Sequence, residues 1–333
     1  MLKARRARAL ETQRVQMQAK VAADLESVLS LQAEAQPEPE PEPKLEPVPA
    51  LPAISLSTLK IQELLGIGQT SSVRRAVSAL SAEEEGAVAV KIVSKRQFFA
   101  NKRMAENCRR ELALLAVLMS ADHPHIVQTL GFAEEHGKIY IAMEYCAGGE
   151  LLQRDGGFSE DDAALITRQL AETLHFLHSQ YIVHRDVKPE NILFKAAPDP
   201  LGWVDPRSLK LCDFGLAVTI KPGGTLCDVC GSPAYVAPEM TAASPPSYGA
   251  AVDIYALGVV MFVMLTDRLP FVGSSLHDMA PVKEKGVVFS LEAGSRIGEQ
   301  AQDLIRLMLT PDQEMRPDAD AVCRHSFCTA VYR

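Results

Sequence analysis

Three short stretches of this chain hold residue types that could do chemistry. The first, "IVHRDVKPENIL", packs His184, Arg185, Asp186, Lys188, Glu190 and Asn191 between two apolar dipeptides. A turn this polar, set between a long helical pattern and a strand, needs a purpose. The second, "LKLCDFGLA", places Asp213 after an apolar strand and before Phe214-Gly215. In the third, "VAVKIV", Lys91 sits in the middle of a β-rich run, where a lysine is expensive to bury unless an anion meets it. A lysine on the solvent face of the strand is the bland alternative. Upstream, in "LGIGQTSSV", Gly66 and Gly68 allow a backbone turn that can approach a polyphosphate closely. Two glycines in a hairpin are, taken alone, more often simply a turn.

A fourth stretch, "TLCDVCGSPAYVAPE", holds Cys227 and Cys230 at the spacing of a metal knuckle or a redox dithiol. A structural zinc site wants a second Cys/His pair, and none lies near in sequence. The seven cysteines are odd in number and irregular in spacing, which reads as free thiols in a reducing compartment.

The elements that must position these residues follow from their patterns. "LKIQELLGIG", "SSVRRAVSAL" and "AVAVKIV" read as strands, then a helix with Leu112, Leu115 and Leu118 on one side, then "HIVQTLGFA" and "KIYIAMEY" as strands. After Gly148-Gly149 the pattern turns helical, with Leu165, Gln169, Leu170, Thr173, Leu174 and Leu177 marking a long amphipathic helix. Strands first and helices after predict an α+β chain, a small sheet lobe followed by a larger helical lobe. The run "IYALGVVMFVML" is too short to span a bilayer and reads as a buried helix.

The 333 residues, 47% apolar and 23% charged, suit a globular chain with a sizeable core. A net charge of −8 gives no whole-protein bias toward nucleic acid or an anionic membrane. Residues 1–35 read as a helical arm, basic through Val21, where Lys3, Arg5, Arg6, Arg8, Arg14 and Lys20 face Glu11 alone. A mitochondrial presequence is one reading of it and a solvated or short coiled-coil helix the favoured one, with a cytoplasmic address. Residues 36–58, with "QPEPEPEPKLEPVPALP", form a stiff Pro/Glu linker, and the globular domain runs over residues 59–328.

Taken in order, the glycine loop, the strand lysine, a helix glutamate, a hinge, His-Arg-Asp, Asp-Phe-Gly and Ala237-Pro238-Glu239 resemble the eukaryotic Ser/Thr protein kinases. "DIYALGV" and "RPDADAVCRHSF" continue the likeness. The resemblance implies a two-lobed fold: a β-rich N-lobe with one main helix (about 59–145) and a mostly helical C-lobe (about 146–328). It implies Mg²⁺ and ATP as cofactors and protein substrates as partners. Lys91 would grip the ATP phosphates and pair with Glu111; Asp186 would be the base, and Lys188 would neutralise the transferring group. Asn191 and Asp213 would ligate Mg²⁺.

The nucleotide pocket implied by the likeness is Leu65, Gly66, Gly68, Val73 and Ala89 above. Met143 falls at the gatekeeper position, Glu144 to Cys146 at the hinge, and Glu150 and Leu193 close the set. Arg185, Glu239, Asp253 and Arg316 are implied as structural, with Arg316 paired to Glu239. "HRDVKPEN" indicates a Ser/Thr rather than a tyrosine kinase. "GGEL" and "RHSF" look most like the basophilic, calmodulin-dependent-type group, in which acids matching Glu150 and Glu190 receive substrate arginines; the alternative is that both are solvated or bind ribose.

The chain departs from the pattern in places. Ser71 replaces the third loop glycine, and "KAAPDPLGWVDPRS" is inserted between Asn191 and Asp213, with Trp203 as a candidate partner contact. Cys230-Gly231-Ser232-Pro233 matches the family's Cys-Gly-Thr-Pro. Where many relatives carry an activating phosphothreonine, this chain has Asp228, a single charge against about −1.5 to −2 for phosphate. Asp228 is expected to pair with Arg185 and hold the loop partly ordered, which would make a constitutive or weakly gated kinase; a loop that needs no phosphate, or one switched at Thr225, is the competing reading. Intact Lys91, Asp186 and Asp213 argue against a nucleotide-binding scaffold. The basic arm is a candidate docking helix for a calmodulin-like partner.

Overall fold

The computed structural model describes residues 52–68, 71–78, 86–95, 102–153, 157–200, 202–242, 246–273, 276–289 and 297–330. The predicted helical arm and residues 36–51 of the linker lie outside the described residues. Five antiparallel strands form one sheet: β1 (Leu59–Ile67), β2 (Ser71–Ser78), β3 (Val88–Ser94), β4 (Thr129–Glu135) and β5 (Lys138–Glu144), in the order β1-β2-β3-β5-β4. The β-branched run of β3 makes it the central strand, and β4 and β5 meet in a tight turn at His136 and Gly137. Both turn residues have positive φ (50° and 70°), which matches the twist of a two-residue hairpin.

Register decides what shares a face. Val73 pairs with Lys91, and Ala89 with Met143. Residues directly opposite, and residues two apart on a strand, project to the same side. Val73, Lys91, Ala89 and Met143 therefore line one surface of the sheet. The helix α1 (Lys102–Ala121) packs beside β4 and buries Cys108, Glu111, Leu114, Leu115 and Leu118, a stripe at helical spacing. At the other edge of β4, Ile54 N–H donates to the Phe132 carbonyl and Phe132 N–H to the Pro52 carbonyl, both at 2.9 Å. The last residues before the domain are thus hydrogen-bonded to the sheet, and Leu56–Thr58 make a single 3₁₀ turn ahead of β1.

The second lobe is helical. Helix α2 (Glu160–Ser179) starts at Ser159, whose hydroxyl accepts from Asp162 N–H at 3.0 Å, and three acids in its first turn favour the helix dipole. Its inner face, including Leu170, Leu174 and Leu177, is fully buried. A short helix α3 (Glu239–Ala242) precedes α4 (Ala251–Thr266), which is apolar on every side and correspondingly buried from Val252 to Met264. Helix α6 (Glu299–Met308) packs on α4, α5 (Leu276–Lys283) on α3, and α7 (Ala319–Arg324) and α8 (Ser326–Thr329) on α2. Between the lobes lie two small ladders, β6 (Ile182–Val183) with β9 (Val218–Thr219) and β7 (Ile192–Phe194) with β8 (Leu209–Leu211). The polar turn 184–191 and Asp213 sit in the loops that join them. No helix among the described residues is long and apolar enough to cross a membrane.

Candidate active site

Lys91 meets the anions that its strand position demands. Its Nζ donates to Glu111 Oε1 at 2.5 Å and to Asp213 Oδ1 at 3.0 Å, so one amine ties β3, α1 and the loop after β8 together. Burial alone would favour the neutral amine. The carboxylates of Glu111 and Asp213 outweigh it and hold the ammonium well above its ordinary range. By the same exchange Lys91 keeps Asp213 ionised below the usual carboxylate range, against the burial that would raise it.

Asp186 is the hub of the polar turn. Its Oδ2 accepts from Lys188 Nζ at 2.6 Å and from Asn191 Nδ2 at 3.1 Å, while its Oδ1 accepts from Ser232 N–H at 3.0 Å and Ser232 Oγ–H at 2.8 Å. Lys188 Nζ also reaches Ser232 Oγ at 2.8 Å. A lysine, an amide and a serine hydroxyl thus converge on one carboxylate.

The backbone there is held in uncommon shapes. Arg185 (φ 65°) and Asp213 (φ 59°) both adopt left-handed conformations, each costing of order 1–3 kcal/mol unless its surroundings impose it. Asp253, fully buried on α4, supplies the constraint at the first. Its carboxylate accepts from His184 N–H (2.9 Å), Arg185 N–H (2.8 Å) and His178 Nε2 (2.9 Å). Burial would neutralise that acid; His178 and the turn's donors hold it ionised. The His184 ring lies edge-on to Phe214 at 5.0 Å, locking Asp213's neighbour beneath the turn.

Arg185 carries this network into the loop at 216–232. Its Nε donates to the Leu216 carbonyl at 2.7 Å and its Nη1 to Asp228 Oδ1 at 2.6 Å. Tyr248 completes the contact, with its hydroxyl donating to the Asp228 carbonyl at 2.6 Å and accepting from Arg185 Nη1 at 3.2 Å. Gly231 follows with φ 95°, and a Cβ there would stand 2.6 Å from the Arg185 carbonyl, so only glycine lets the loop approach the turn. Thr225 lies exposed on the same loop.

The remaining predicted residues fall on the cleft or beneath it. Near the end of β1 Leu65 is exposed and Gly66 half-buried, with Gly66 opposite Val73. Gly68 N–H donates to the Ser71 carbonyl at 2.8 Å, which closes the turn despite the missing third glycine. Glu150 pairs with Leu193 in an isolated antiparallel bridge on the helical-lobe side of the cleft. The Glu144 side chain accepts from Gln128 N–H at 2.8 Å and meets Lys210 at 2.7 Å and Lys195 at 2.9 Å, so its carboxylate is consumed by structure and its backbone is what remains for a ligand. Arg316, buried, forks onto Glu239 at 2.7 and 3.0 Å and also donates to the Thr310 and Ala251 carbonyls.

All seven thiols are free; Cys227 is exposed while Cys230 is buried and pushed up to about 11 by that burial. Burial likewise raises Cys212 and takes Cys146 to about 12. No cluster of three or more His, Cys, Asp or Glu among the described residues could hold a metal by itself. Asn191 and Asp213 instead offer hard oxygens beside a lysine. That donor set suits Mg²⁺, which keeps few protein ligands and takes phosphate oxygens for the rest.

Sequence reasoning missed three contributors. Tyr248, Lys210 and Lys283 lie in unremarkable contexts, "PPSYGA", "SLKLC" and "APVKEKG", and only the tertiary fold carries their polar atoms to Asp228, to Glu144 and beneath the loop at 233–236.

A sheet lobe over a helical lobe, with a lysine–glutamate pair facing a carboxylate-centred turn, defines the class. Residues 59–328 match the family model for the protein kinase domain, and the chain belongs to that family. It is 34% identical over 270 residues to sperm motility kinase 2B of Mus musculus, covering 80% of this chain and 51% of that protein. With calcium/calmodulin-dependent protein kinase type 1 of Macrobrachium nipponense it shares 34% over 260 residues, 77% of this chain and 70% of the relative. Calcium-dependent protein kinase 5 of Oryza sativa subsp. japonica is 38% identical over 241 residues, 71% of this chain and 42% of that protein. The chain thus spans about half the length of the sperm motility kinase it matches.

Proposed function

We propose that this chain is a serine/threonine protein kinase. The observation that carries the reading is the Asp186 hub standing beside the Lys91–Glu111–Asp213 cluster. Mg·ATP, when bound, supplies the phosphoryl group to be transferred and a hard cation for the oxygens of Asn191 and Asp213. Lys91 holds a permanent positive charge for phosphate because two carboxylates keep it protonated. Asp186 orients the acceptor hydroxyl and takes its proton; Ser232 Oγ already occupies such a hydroxyl position at 2.8 Å. Lys188 holds positive charge 2.6 Å from that carboxylate. Val73, Ala89, Met143 and Leu193 give the adenine an apolar seat, and the backbone of Glu144 to Cys146 gives it polar partners. Glu150 and Glu190 favour acceptors with upstream arginines.

Asp228 stands in for a phosphorylated loop residue. Its charge lies 2.6 Å from Arg185 of the turn and its backbone is held by Tyr248, so the loop is tied without modification. The basic arm, residues 1–35, is read as a docking helix for an acidic partner, and the protein as cytoplasmic. A pull-down in which deleting residues 1–35 changes no partner would remove the docking helix.

The test uses the full chain, treated with phosphatase, with Mg·ATP and arginine-containing Ser/Thr peptides. Wild type is expected to phosphorylate them, and Asp186→Asn to fall by about 10²–10⁴ in kcat. Asp228→Ala is expected to fall by about tenfold or more, the worth of one charge-assisted hydrogen bond. Asp228→Ala at the wild-type rate would remove the role given to Asp228 and leave the kinase reading intact. Wild type that binds ATP yet transfers no faster than Asp186→Asn would make the chain a nucleotide-binding scaffold.

A further inference from the structure

Lys283 is the last residue of α5 and is only 2% exposed, deeper than a lysine normally lies. Its Nζ donates to the Pro233 carbonyl at 2.8 Å and the Val236 carbonyl at 2.7 Å. These carbonyls belong to a tight turn in which Tyr235 N–H (2.8 Å) and Val236 N–H (3.2 Å) both donate back to the Ser232 carbonyl. A turn so folded uses its amides on itself and leaves its carbonyls facing inward, where an unmet acceptor is costly. Lys283 meets two of them from outside. The next residue back, Ser232, holds Asp186 through both its N–H and its hydroxyl. One amine is therefore two short steps from the carboxylate at the centre of the site.

An acceptor hydroxyl has to reach the Asp186 oxygen that Ser232 Oγ now touches, so the peptide bearing it must run against the turn that carries Ser232. We propose that Lys283 is a positioning residue for the protein substrate: by fixing the Pro233–Val236 turn it sets the surface on which the acceptor peptide is seated, and so governs peptide capture rather than nucleotide binding. The proposal rests on the kinase reading for its substrate and on the hydrogen bonds alone for the turn. The protonation of the amine agrees with the count of partners. Burial pulls Lys283 down to about 7 against the field of Glu239, and a neutral amine has two N–H bonds for two carbonyls.

The experiment compares wild type, Lys283→Met, which keeps the length and loses the donors, and Lys283→Gln, which keeps two N–H donors on a shorter chain. Hydrogen–deuterium exchange needs no substrate. Lys283→Met is expected to speed exchange at the Tyr235 and Val236 amides at least tenfold while the α4 amides stay protected. In steady state its KM for the peptide rises at least tenfold, with KM for ATP and the slow transfer to water within twofold of wild type, and Lys283→Gln falls between the two. Unchanged exchange at 235 and 236 and an unchanged peptide KM in both variants would overturn the proposal. So would loss of α4 protection together with the turn, which would make Lys283 a support of the lobe as a whole. A wild type that phosphorylates no peptide would instead strike the kinase reading, while the exchange result would still decide whether Lys283 holds the turn.

Discussion

Lys91 on the sheet and Lys283 at the end of α5 are both withdrawn from water, and their surroundings push them in opposite directions. Lys91 has two carboxylates within hydrogen-bond distance and keeps its proton more firmly than a lysine in solution. Lys283 has two carbonyls, with Glu239 acting only through its field, and gives its proton up near pH 7. Burial alone therefore does not say what a lysine is for. Matched by acids it is a fixed charge, suited to a charged ligand; matched by carbonyls it is a hydrogen-bonding strut whose charge is incidental.

The first way to break this contrast is Lys91→Met. It leaves Glu111 buried without its cation and removes the charge proposed to meet the phosphates. Phosphoryl transfer is expected to fall by about 10²–10³ in kcat, as when one electrostatic contact is lost from an active site, measured by single-turnover transfer to a peptide.

Glu239→Gln tests the other end. Glu239 is the acid whose field opposes burial at Lys283, and it is also the bidentate partner of buried Arg316. Neutralising it strands the guanidinium, an expected loss of about 3–5 kcal/mol read as a lowered urea midpoint. It also carries Lys283 further down, so the wild-type titration near 7 moves to lower pH.

The smallest effect is the dependence of stability on pH. An unfolded chain protonates Lys283 up to about 10.5, whereas the folded chain releases that proton near 7. Between those values the unfolded state binds more protons, so stability rises with pH through the window; below 7 the full cost of the buried charge is present. The charges acting on the amine are Glu239 and, through it, Arg316. Between pH 7 and pH 9.5 the buried thiols, raised by burial, pull stability down equally in both proteins, so the urea midpoint of wild type should gain on that of Lys283→Met across the interval. Equal slopes in the two proteins would mean that Lys283 is charged in the fold, like Lys91.

Much of the cleft was legible because its residues lie in short, dense motifs. Lys91 in an apolar strand demanded an anion, and Glu111 and Asp213 are there at 2.5 and 3.0 Å. The expected pairs Arg185–Asp228 and Arg316–Glu239 both form. The buried helix read from "IYALGVVMFVML" is α4, since a run apolar on all sides has no other stable place. Lys283 was illegible for the converse reason. Next to Glu284 and Lys285 it reads as one more solvated charge, and its burial depends on where α5 lands against the 233–236 turn. Tyr248 reads as a turn residue beside Gly249, yet it is fully buried and holds Asp228. The Pro/Glu composition likewise gave no sign that Pro52 and Ile54 would bond to β4, because strand pairing at an edge is made by backbone and leaves little mark on side-chain choice.

The contact between Arg185 and Asp228 has a consequence in time. A phosphate is added by one enzyme and removed by another, so the order it imposes on a loop has a lifetime. A carboxylate is part of the chain from the moment of synthesis, and no phosphatase can take it off. The tie at position 228 is therefore as old as the molecule; under the proposal that it replaces a phosphate, control of that order passes to the making and degrading of the protein.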